Sequence, residues 1–216
     1  MEALRVKLAF LHVGQDPVWA KIMVASVRRF IDCEALQLTD MDTNAIEGCT
    51  PVRRVFDGSK PGEVAANGWT TGSTNLTMFK MEHLANLEGD ILILDTDIIV
   101  QKDISTVFAF DFDVSLTWRD GPIWADNGQD LAKIMPINCG VMFSRSPAFW
   151  QHCWEWSNEH PGGWYSDQFA VAANWRRFNV LRLNCDNFNY TPNSKDEDVS
   201  NRYVVHYKGK RKAWMC

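Results

Sequence analysis

The sequence lacks several features that would assign it to a specialised class of protein. Its six cysteines include no C-x-x-C pair, which argues against a zinc site, and a chain of 216 residues forms a core without disulfide bonds. The cysteines therefore indicate reduced thiols and a cytoplasmic location. No apolar run is as long as a membrane span, and no small-residue cleavage site follows the apolar run near the N-terminus. We expect no integral membrane segment, while peripheral association with a membrane stays open.

An excess of positive charge is also absent. The formal net charge is −5 at pH 7, whereas nucleic-acid binding depends on cationic contacts to phosphates, so we expect no nucleic-acid partner. The residues that are present, 46% hydrophobic and 23% charged, are typical of a globular chain with a sizeable core. Because no internal repeat or shift in composition marks a linker, residues 1–216 are predicted to form one domain.

Apolar patterns along the chain predict strands that alternate with helices. Strands are predicted at residues 5–14, 35–41, 51–57, 91–94, 113–118, 137–144 and 179–187, and helices start near residues 18, 73, 147 and 166. This order predicts an α/β fold with a mostly parallel central sheet and helices on both faces. Open sheets of this kind bind their ligands beyond the carboxyl ends of the strands, so a functional site is expected there.

Two acidic residues interrupt the apolar stretch from Gly89 to Val100 (GDILILDTDIIV). Asp95 and Asp97 follow four apolar residues that predict a strand buried on both faces. Two carboxylates at the end of such a strand repel each other and lose solvation unless a cation pairs with them, and a divalent metal would do so. Asp is also common at strand ends because it favours turns and contact with water, so the pair alone leaves both interpretations open.

The C-terminal stretch supplies a candidate third ligand. It contains an apolar pair, then His206, then four cations around Gly209 (VVHYKGKRKAW). A neutral imidazole is a common ligand for borderline metals, and it would complete a set with two carboxylates. The cations would meet phosphates on the same metal, with Gly209 allowing close approach of the backbone. The alternative is a solvated basic tail that follows an ordinary histidine.

Five short motifs occur in the order and approximate spacing of those in glycosyltransferases of the GT-A fold: LDTD, INCGVMFSR, YSDQFAVA, DNFNYTPNS and VVHYKGKRKAW. They lie between about Lys80 and Trp214, and the sequence most resembles family 8, the retaining galactosyltransferases and glycogenin-like enzymes. The tail is similar to the H-x-x-G-x-x-K-P-W pattern of that family, with Ala213 in place of proline. The resemblance implies a nucleotide-binding half at about residues 1–100 and a donor-sugar and acceptor half at about residues 101–216.

The resemblance also implies an activity and the residues that carry it. The expected reaction moves a sugar, with retention, from a nucleotide-diphosphate donor, expected to be a UDP-sugar, to a saccharide or glycoconjugate acceptor. Asp95, Asp97 and His206 are expected to bind Mn²⁺ or Mg²⁺, and Asp167 and Gln168 to flank the anomeric carbon as the catalytic pair. The residues expected in donor binding are Leu11, Val13, Gln15, Asp40, Lys80, Thr96, Asp120, Asn138, Gly209 and Lys212.

Several of these residues have a structural interpretation as well. Asp167 and Gln168 follow Ser166 at a predicted helix start, where acidic and capping side chains are favoured by the exposed N–H groups. Asn138 could equally begin a strand that contains a bulge. Lys80 is alone among apolar neighbours on its helix, so it either extends to solvent or reaches the phosphates or sugar.

The first strand departs from the family pattern. It ends at Leu11, Val13 and Gln15 without the acidic residues that family 8 members often carry there for the base and ribose. Asp40, at the end of the second strand, would take over by accepting from the uracil ring or ribose. Should the enzyme invert configuration instead, Asp167 is the candidate general base for the acceptor hydroxyl.

Three other functions stay open at this level. A phosphatase of the Asp-x-Asp-x-Thr type also uses paired aspartates, but it requires Thr or Val where this chain has Ile99. A sugar nucleotidyltransferase would share the fold, yet its glycine-rich, arginine-containing loop is missing between Val13 and Ala20. A carbohydrate-binding module is the non-enzymatic alternative, which the ten tryptophans suggest.

Overall fold

The strands and helices of the protein follow the apolar runs of the sequence in a computed structural model that describes residues 6–14, 16–56, 71–124, 127–160 and 166–216. The strands are β1 (Lys7–Leu11), β2 (Glu34–Thr39), β3 (Thr50–Arg53), β4 (Ile91–Leu94), β5 (Ile98–Val100), β6 (Val114–Trp118), β7 (Ile137–Ser144), β8 (Val180–Asn184) and β9 (Val204–His206). The helices are α1 (Val18–Arg28), α2 (Thr71–Leu84), α3 (Pro147–Glu159), α4 (Ser166–Asn174) and α5 (Cys185–Phe188). Short 3-10 segments lie at Ser105–Ala109, Leu131–Lys133, Trp175–Arg177 and Gly209–Trp214.

Seven of the described strands form the central sheet, in the order β3-β2-β1-β4-β7-β6-β8. Strands β3, β2, β1 and β4 pair in parallel, and β8 pairs in parallel with β6. Only β7 runs against its neighbours, since it pairs antiparallel with both β4 and β6. The predicted α/β class with a mostly parallel central sheet is therefore confirmed.

Alternate residues of the central strands enter two hydrophobic cores, one on each face of the sheet. Leu8 and Leu92 pack on the face that carries helix α1, among the apolar side chains that recur along that helix. Ala9 and Ile93 point to the other face, where they join side chains from α2, α3 and α4. This two-sided burial explains why β4 is apolar at every position, as the sequence predicted.

The second apolar run after the acidic pair belongs to a different sheet. Strand β5 pairs antiparallel with β9, which comes from the far end of the chain, and Ile98 lies opposite His206 in that pairing. The acidic residues therefore sit in the turn between the central sheet and this two-stranded sheet.

The last run predicted as a strand of the central sheet ends in a helix. The run at residues 179–187 forms a strand only to Asn184, whose side-chain Oδ1 accepts a hydrogen bond from the backbone N–H of Asn187. The short helix α5 begins there, because the Asn184 side chain caps a backbone N–H of its first turn. No helix among the described residues combines the length and the apolar character that crossing a membrane requires.

Candidate active site

The two acidic side chains are fixed by backbone hydrogen bonds at the junction of the two sheets. Asp95 follows β4, and its N–H donates to the Gly140 carbonyl at 2.9 Å. Asp97 precedes β5, and its carbonyl accepts from the N–H of Tyr207 at 2.8 Å. The first bond ties one acid to β7 and the second ties the other acid to the chain just beyond β9. Both carboxylates are thus held at the carboxyl edge of the central sheet.

His206 joins the acidic pair from the end of β9. Its Nε2 lies 2.9 Å from Asp97 Oδ1 and 3.8 Å from Asp95 Oδ2. One ligand atom from each of the three residues can be chosen so that all lie within 4.8 Å of one another. The structure thus brings together the three predicted metal ligands, although His206 is 109 positions from Asp97 in the chain.

The chemistry of this donor set fits a divalent cation. Two carboxylates and one imidazole are ligands that Mn²⁺ accepts readily and that Mg²⁺ accepts in part. Burial disfavours the charged form of Asp97, but the His206 and Lys212 contacts outweigh it and lower its pKa to about 2. The side chain of Asp95 is 36% exposed, so the set opens toward solvent. Asp95, Asp97 and His206 are accordingly the residues that could hold a metal.

Lys80 is a buried cation that links the acidic pair to the start of helix α4. Its Nζ lies 3.2 Å from Asp95 Oδ1 and 3.3 Å from Asp167 Oδ2, and its side chain is only 5% exposed. Burial alone would lower the pKa of Lys80, but these two carboxylates outweigh burial and raise it above its usual value. Lys80 therefore does not extend to solvent, and it carries a positive charge between the two groups.

A second lysine approaches from the C-terminal segment. Lys212 Nζ lies 3.3 Å from Asp97 Oδ2, and the lysine side chain is 39% exposed. It belongs to the 3-10 segment that starts at Gly209, where the backbone φ is +60°, a conformation that favours glycine. The tail predicted to be basic and functional thus places one cation against the acidic pair.

Asp167 and Gln168 lie at the first turn of α4, as predicted. Besides its contact with Lys80, Asp167 accepts from the N–H of Gln168 through Oδ1 at 2.8 Å, and its role at the anomeric carbon stays a prediction. Gln168 Oε1 accepts from the guanidinium of Arg119, which also donates to the carbonyls of Met135 and Ile137. Both side chains are therefore held by charged partners before any substrate is present.

Two predicted donor-sugar residues have structural partners. The Oδ1 of Asn138 accepts from the N–H of Gly140 at 3.2 Å, beside the point where the register of β6 and β7 shifts, which is the bulge considered from the sequence. Asp120 is exposed beyond β6 and accepts from the N–H of Asp186 at 3.0 Å, at the start of α5. Their contact with a sugar stays a prediction.

The remaining predicted donor residues that the structure describes lie along the same edge of the sheet. Leu11 ends β1, which is adjacent to β4, and Thr96 lies in the turn between the two acids. Asp40 follows β2 and accepts from the N–H of Thr43 at 2.8 Å, and the Thr43 hydroxyl accepts in turn from Gly14, one residue after Val13. Burial would raise the pKa of Asp40, but the Thr43 hydrogen bonds lower it overall. Gln15 lies outside the described residues.

Two residues of the site, Asn189 and Arg119, have no predicted role, and a third, Lys208, was expected only as one of the four cations that would meet phosphates. Asn189 contacts the His206 ring, and its signal was its position within the motif DNFNYTPNS. Arg119 holds Gln168, and its only signal was a charge directly after a buried strand. Lys208 lies between His206 and Gly209; burial, followed by the neighbouring Arg119 charge, lowers its pKa to about 8.

Comparisons with known proteins were made by sequence and by structure. No protein-family model matches the chain, and no curated protein matches its sequence. The structure is similar to that of the galactosyltransferase LgtC in complex with donor and acceptor sugar analogues, with a TM-score of 0.61, 12% identity, and coverage of 94% of this chain and 87% of that one. A second LgtC structure, of an active-site variant with glutamine changed to glutamate, has a TM-score of 0.57, 14% identity, and coverage of 93% and 87%.

A further similar structure is a glycosyltransferase involved in glycosylation of the major capsid of PBCV-1. It has a TM-score of 0.58 and 17% identity, and the match covers 98% of this chain and 97% of that one. At these identities the comparison concerns the fold, which is that of the GT-A glycosyltransferases. The resemblance stated from the sequence motifs is confirmed at that level.

Proposed function

We propose that the protein is a metal-dependent glycosyltransferase that moves a sugar from a UDP-sugar to an acceptor hydroxyl with retention of configuration. The observation that carries the proposal is the convergence of Asp95, Asp97 and His206, with one ligand atom from each within 4.8 Å of the others. A general carbohydrate-binding module has no need for such a set. A donor diphosphate does need it, because its two phosphates require cations on more than one side.

The charges of the site match those that develop during glycosyl transfer. A bound Mn²⁺ or Mg²⁺ would supply positive charge against the departing diphosphate. Lys212, 3.3 Å from Asp97, and Gly209 before it would meet the same phosphates from the C-terminal segment. Asp167 would face the sugar, whose ring becomes positive as the bond to phosphate breaks. Each charged group thus faces a developing charge of the opposite sign.

The transfer breaks the bond between the anomeric carbon and the diphosphate oxygen and forms a bond to the acceptor oxygen. The acceptor hydroxyl gives its proton to the departing diphosphate, so no further reactant is needed. Asp167 and Gln168 would flank the anomeric carbon, and Arg119 keeps the Gln168 carboxamide in one orientation by donating to its oxygen. A fixed amide loses little freedom when substrate binds, which favours a role in positioning the sugar.

The donor base is assigned to the ends of β1 and β2. Leu11, Val13 and Thr96 offer backbone and apolar surface at that edge, and Asp40 offers a carboxylate that would accept from the uracil ring or ribose. Burial would raise the pKa of Asp40, but its Thr43 hydrogen bonds lower it overall, which keeps the carboxylate ionised for that task. Asn138 and Asp120 are assigned to the donor sugar, at the ends of the neighbouring strands β7 and β6.

The structural neighbours add support for a saccharide substrate. LgtC has been observed with donor and acceptor sugar analogues, and its active site contains a glutamine that has been substituted. This chain has Gln168 at its own candidate site, beside Asp167. We accordingly assign the acceptor to the class of saccharides or glycoconjugates.

Calorimetric titration of nucleotide-sugars tests the proposal. The wild-type protein is titrated with UDP-sugars and their GDP counterparts, with Mn²⁺ and with a chelator, and UDP release is followed on addition of candidate saccharide acceptors. One UDP-sugar should bind only with metal, and the substitution Asp97→Ala should abolish that binding because it removes a ligand. The anomeric configuration of the product, determined by NMR, tests retention.

Asp111→Ala is the matched control, since Asp111 is an exposed aspartate outside the site and its replacement should leave donor binding unchanged. Equal donor binding with and without metal, or in Asp97→Ala, contradicts the metal site. Sugar binding that is insensitive to chelator, without affinity for any nucleotide, would instead identify a carbohydrate-binding module.

A further inference from the structure

A buried amide stands between the candidate metal ligands and the central sheet. Asn189 follows α5, is 2% exposed, and places its side chain between His206 and strand β7. Its Oδ1 lies 2.8 Å from His206 Nδ1, while its Nδ2 lies 2.9 Å from Thr117 Oγ1 and 3.3 Å from the Asn138 carbonyl oxygen. Every polar atom of this amide therefore has a partner inside the protein.

The partners on β6 and β7 determine which way the amide points. The Asn138 carbonyl oxygen can only accept, so the amide NH₂ must be the group that faces it. Thr117 uses its hydroxyl proton on the Asn138 and Val141 carbonyls, at 2.7 and 3.3 Å, so its oxygen is free to accept from the same NH₂. The amide oxygen is consequently the atom that faces the His206 ring.

That orientation determines the protonation of the imidazole. An amide oxygen only accepts, so the His206 nitrogen that faces it, Nδ1, must carry a hydrogen. A ring that holds its hydrogen on Nδ1 can offer the Nε2 lone pair to a cation, which would replace the hydrogen shared between Nε2 and Asp97 Oδ1, 2.9 Å apart. Nε2 is therefore available as a metal ligand on the side where the two acids lie.

The same stretch of β7 also positions the first acid. The N–H of Asp95 donates to the Gly140 carbonyl, and Gly140 is the residue whose own N–H is bound by the Asn138 side chain. A β-carbon at Gly140 would lie 2.4 Å from His206 Cε1 and 3.2 Å from Asn189 Oδ1. Only glycine leaves room there for the histidine and its amide partner. The irregular segment of β7 thus contacts both sides of the metal-ligand set.

We propose that Asn189, anchored on Thr117 and the Asn138 carbonyl, is a positioning residue that holds His206 with Nδ1 protonated and Nε2 directed at the metal. The proposal rests on the metal site of the proposed function, and it assigns to this amide a role that none of the predicted ligands has. A partner that accepts from the other ring nitrogen fixes the orientation of a metal-binding histidine, and its loss commonly changes metal affinity about 10- to 100-fold.

The test measures Mn²⁺ binding to the protein without any sugar nucleotide. Free Mn²⁺ is quantified by electron paramagnetic resonance during titration of wild type, Asn189→Ala and Asn189→Asp. Asn189→Ala should bind Mn²⁺ about 10- to 100-fold more weakly because Nδ1 of the ring loses the amide oxygen that accepts from it. Asn189→Asp keeps an oxygen that accepts from Nδ1 but loses the NH₂ that donates to Thr117 and the Asn138 carbonyl, so its affinity should lie between those of wild type and Asn189→Ala.

A spectroscopic measurement separates positioning from a general loss of structure. The Mn²⁺-bound wild type should show electron spin echo modulation from an imidazole nitrogen, which Asn189→Ala at saturating Mn²⁺ should show weakly, while Asn189→Asp retains it. Asn187→Ala is the matched control, because Asn187 is an exposed asparagine in the same segment. Its Mn²⁺ affinity should equal that of wild type.

Three results overturn the proposal: unchanged Mn²⁺ affinity in Asn189→Ala, an equal loss in Asn187→Ala, or a loss in Asn189→Asp as large as in His206→Ala. Should Asn189→Ala fail to fold in a thermal melt, the Asn189→Asp result decides alone. These measurements use metal only. Absence of glycosyl transfer would therefore refute the proposed function without altering the result for Asn189.

Discussion

Replacing Lys80 by methionine tests the charge arrangement at the centre of the candidate site. Methionine has a similar length and no charge, so Lys80→Met removes the cation while retaining most of the packing of the stem. The carboxylates of Asp95 and Asp167 then lose the ammonium group that lies 3.2 and 3.3 Å from them. The two acids differ in exposure, and this difference determines how much each contributes.

The magnitude follows mainly from Asp167. Its side chain is 9% exposed, so without Lys80 it becomes a nearly buried charge that has lost its ion-pair partner, which typically costs about 3 to 5 kcal/mol. The Asp95 side chain is 36% exposed, so water screens its ion pair and its loss adds no more than about 1 kcal/mol. We therefore expect the free energy of unfolding to fall by about 3 to 5 kcal/mol. For a chain of this length the corresponding decrease in melting temperature is roughly 6 to 20 °C.

Urea unfolding followed by circular dichroism measures this difference, and its pH dependence is a second check. Because the folded state raises the pKa of Lys80, its contribution is fully present below its ordinary value of 10.5 and is lost only as the pH rises through the higher folded value. The difference between wild type and Lys80→Met should thus be the same at pH 6.5 and 8.5. Lys21→Met, at an exposed position of α1, should change stability by less than about 0.5 kcal/mol. A loss below about 1 kcal/mol in Lys80→Met would refute the reasoning.

Two further predictions concern positions that the sequence patterns left unassigned. Gly140→Ala should weaken Mn²⁺ binding by at least about tenfold, because the new methyl group would lie 2.4 Å from the His206 ring. Gly121→Ala is the control: a β-carbon there meets nothing within 4 Å, so this variant should bind Mn²⁺ as wild type does in the same titration. Burial, with Arg54 nearby, lowers the pKa of His83 to about 4. As the pH falls, the imidazole of His83 is protonated in the unfolded chain before it is protonated in the folded one, because its pKa is higher in the unfolded chain. His83 should therefore reduce the free energy of unfolding by up to about 3 kcal/mol as the pH falls from 6.5 to 4. In urea unfolding, the free energy of unfolding of His83→Phe should decrease less than that of wild type between pH 6.5 and 4. An equal decrease in the two proteins would contradict the low pKa of His83.

Most of the central sheet could be predicted from the sequence because its strands are buried on both faces. Apolar residues are then favoured at successive positions, as they are throughout β4, at Leu8–Phe10 of β1 and at Val141–Phe143 of β7. Asp167 could likewise be placed at a helix start, since Ser166 precedes it and acids are favoured there. Strand burial and the helix start each leave a pattern within a few neighbouring residues, so each can be predicted from the local sequence.

The partners of the site could not be predicted, because they depend on contacts between distant segments. Arg119 reaches Gln168, 49 positions away, and nothing local to either residue marks the other. The resemblance assigned Asp120 to the donor sugar. Its contact with the first turn of α5 could not be foreseen, because the sequence presented that helix as the end of a strand. Asn189 is the clearest case. Its motif was noted, but its role depends on Thr117, 72 positions earlier.

The acidic pair itself acquires a physical explanation once the two sheets are distinguished. A single strand from Ile91 to Val100 would have placed two charges in the middle of a buried run, where their desolvation would oppose folding. The structure instead divides the run into β4 and β5, which belong to different sheets, and uses Asp95 and Asp97 for the turn between them. Because β5 pairs with β9, the divided run also brings His206 opposite Ile98, next to Asp97. Interruption of an apolar run by Asp-x-Asp thus marks the point where the chain leaves one sheet for another, and the second sheet delivers the third ligand.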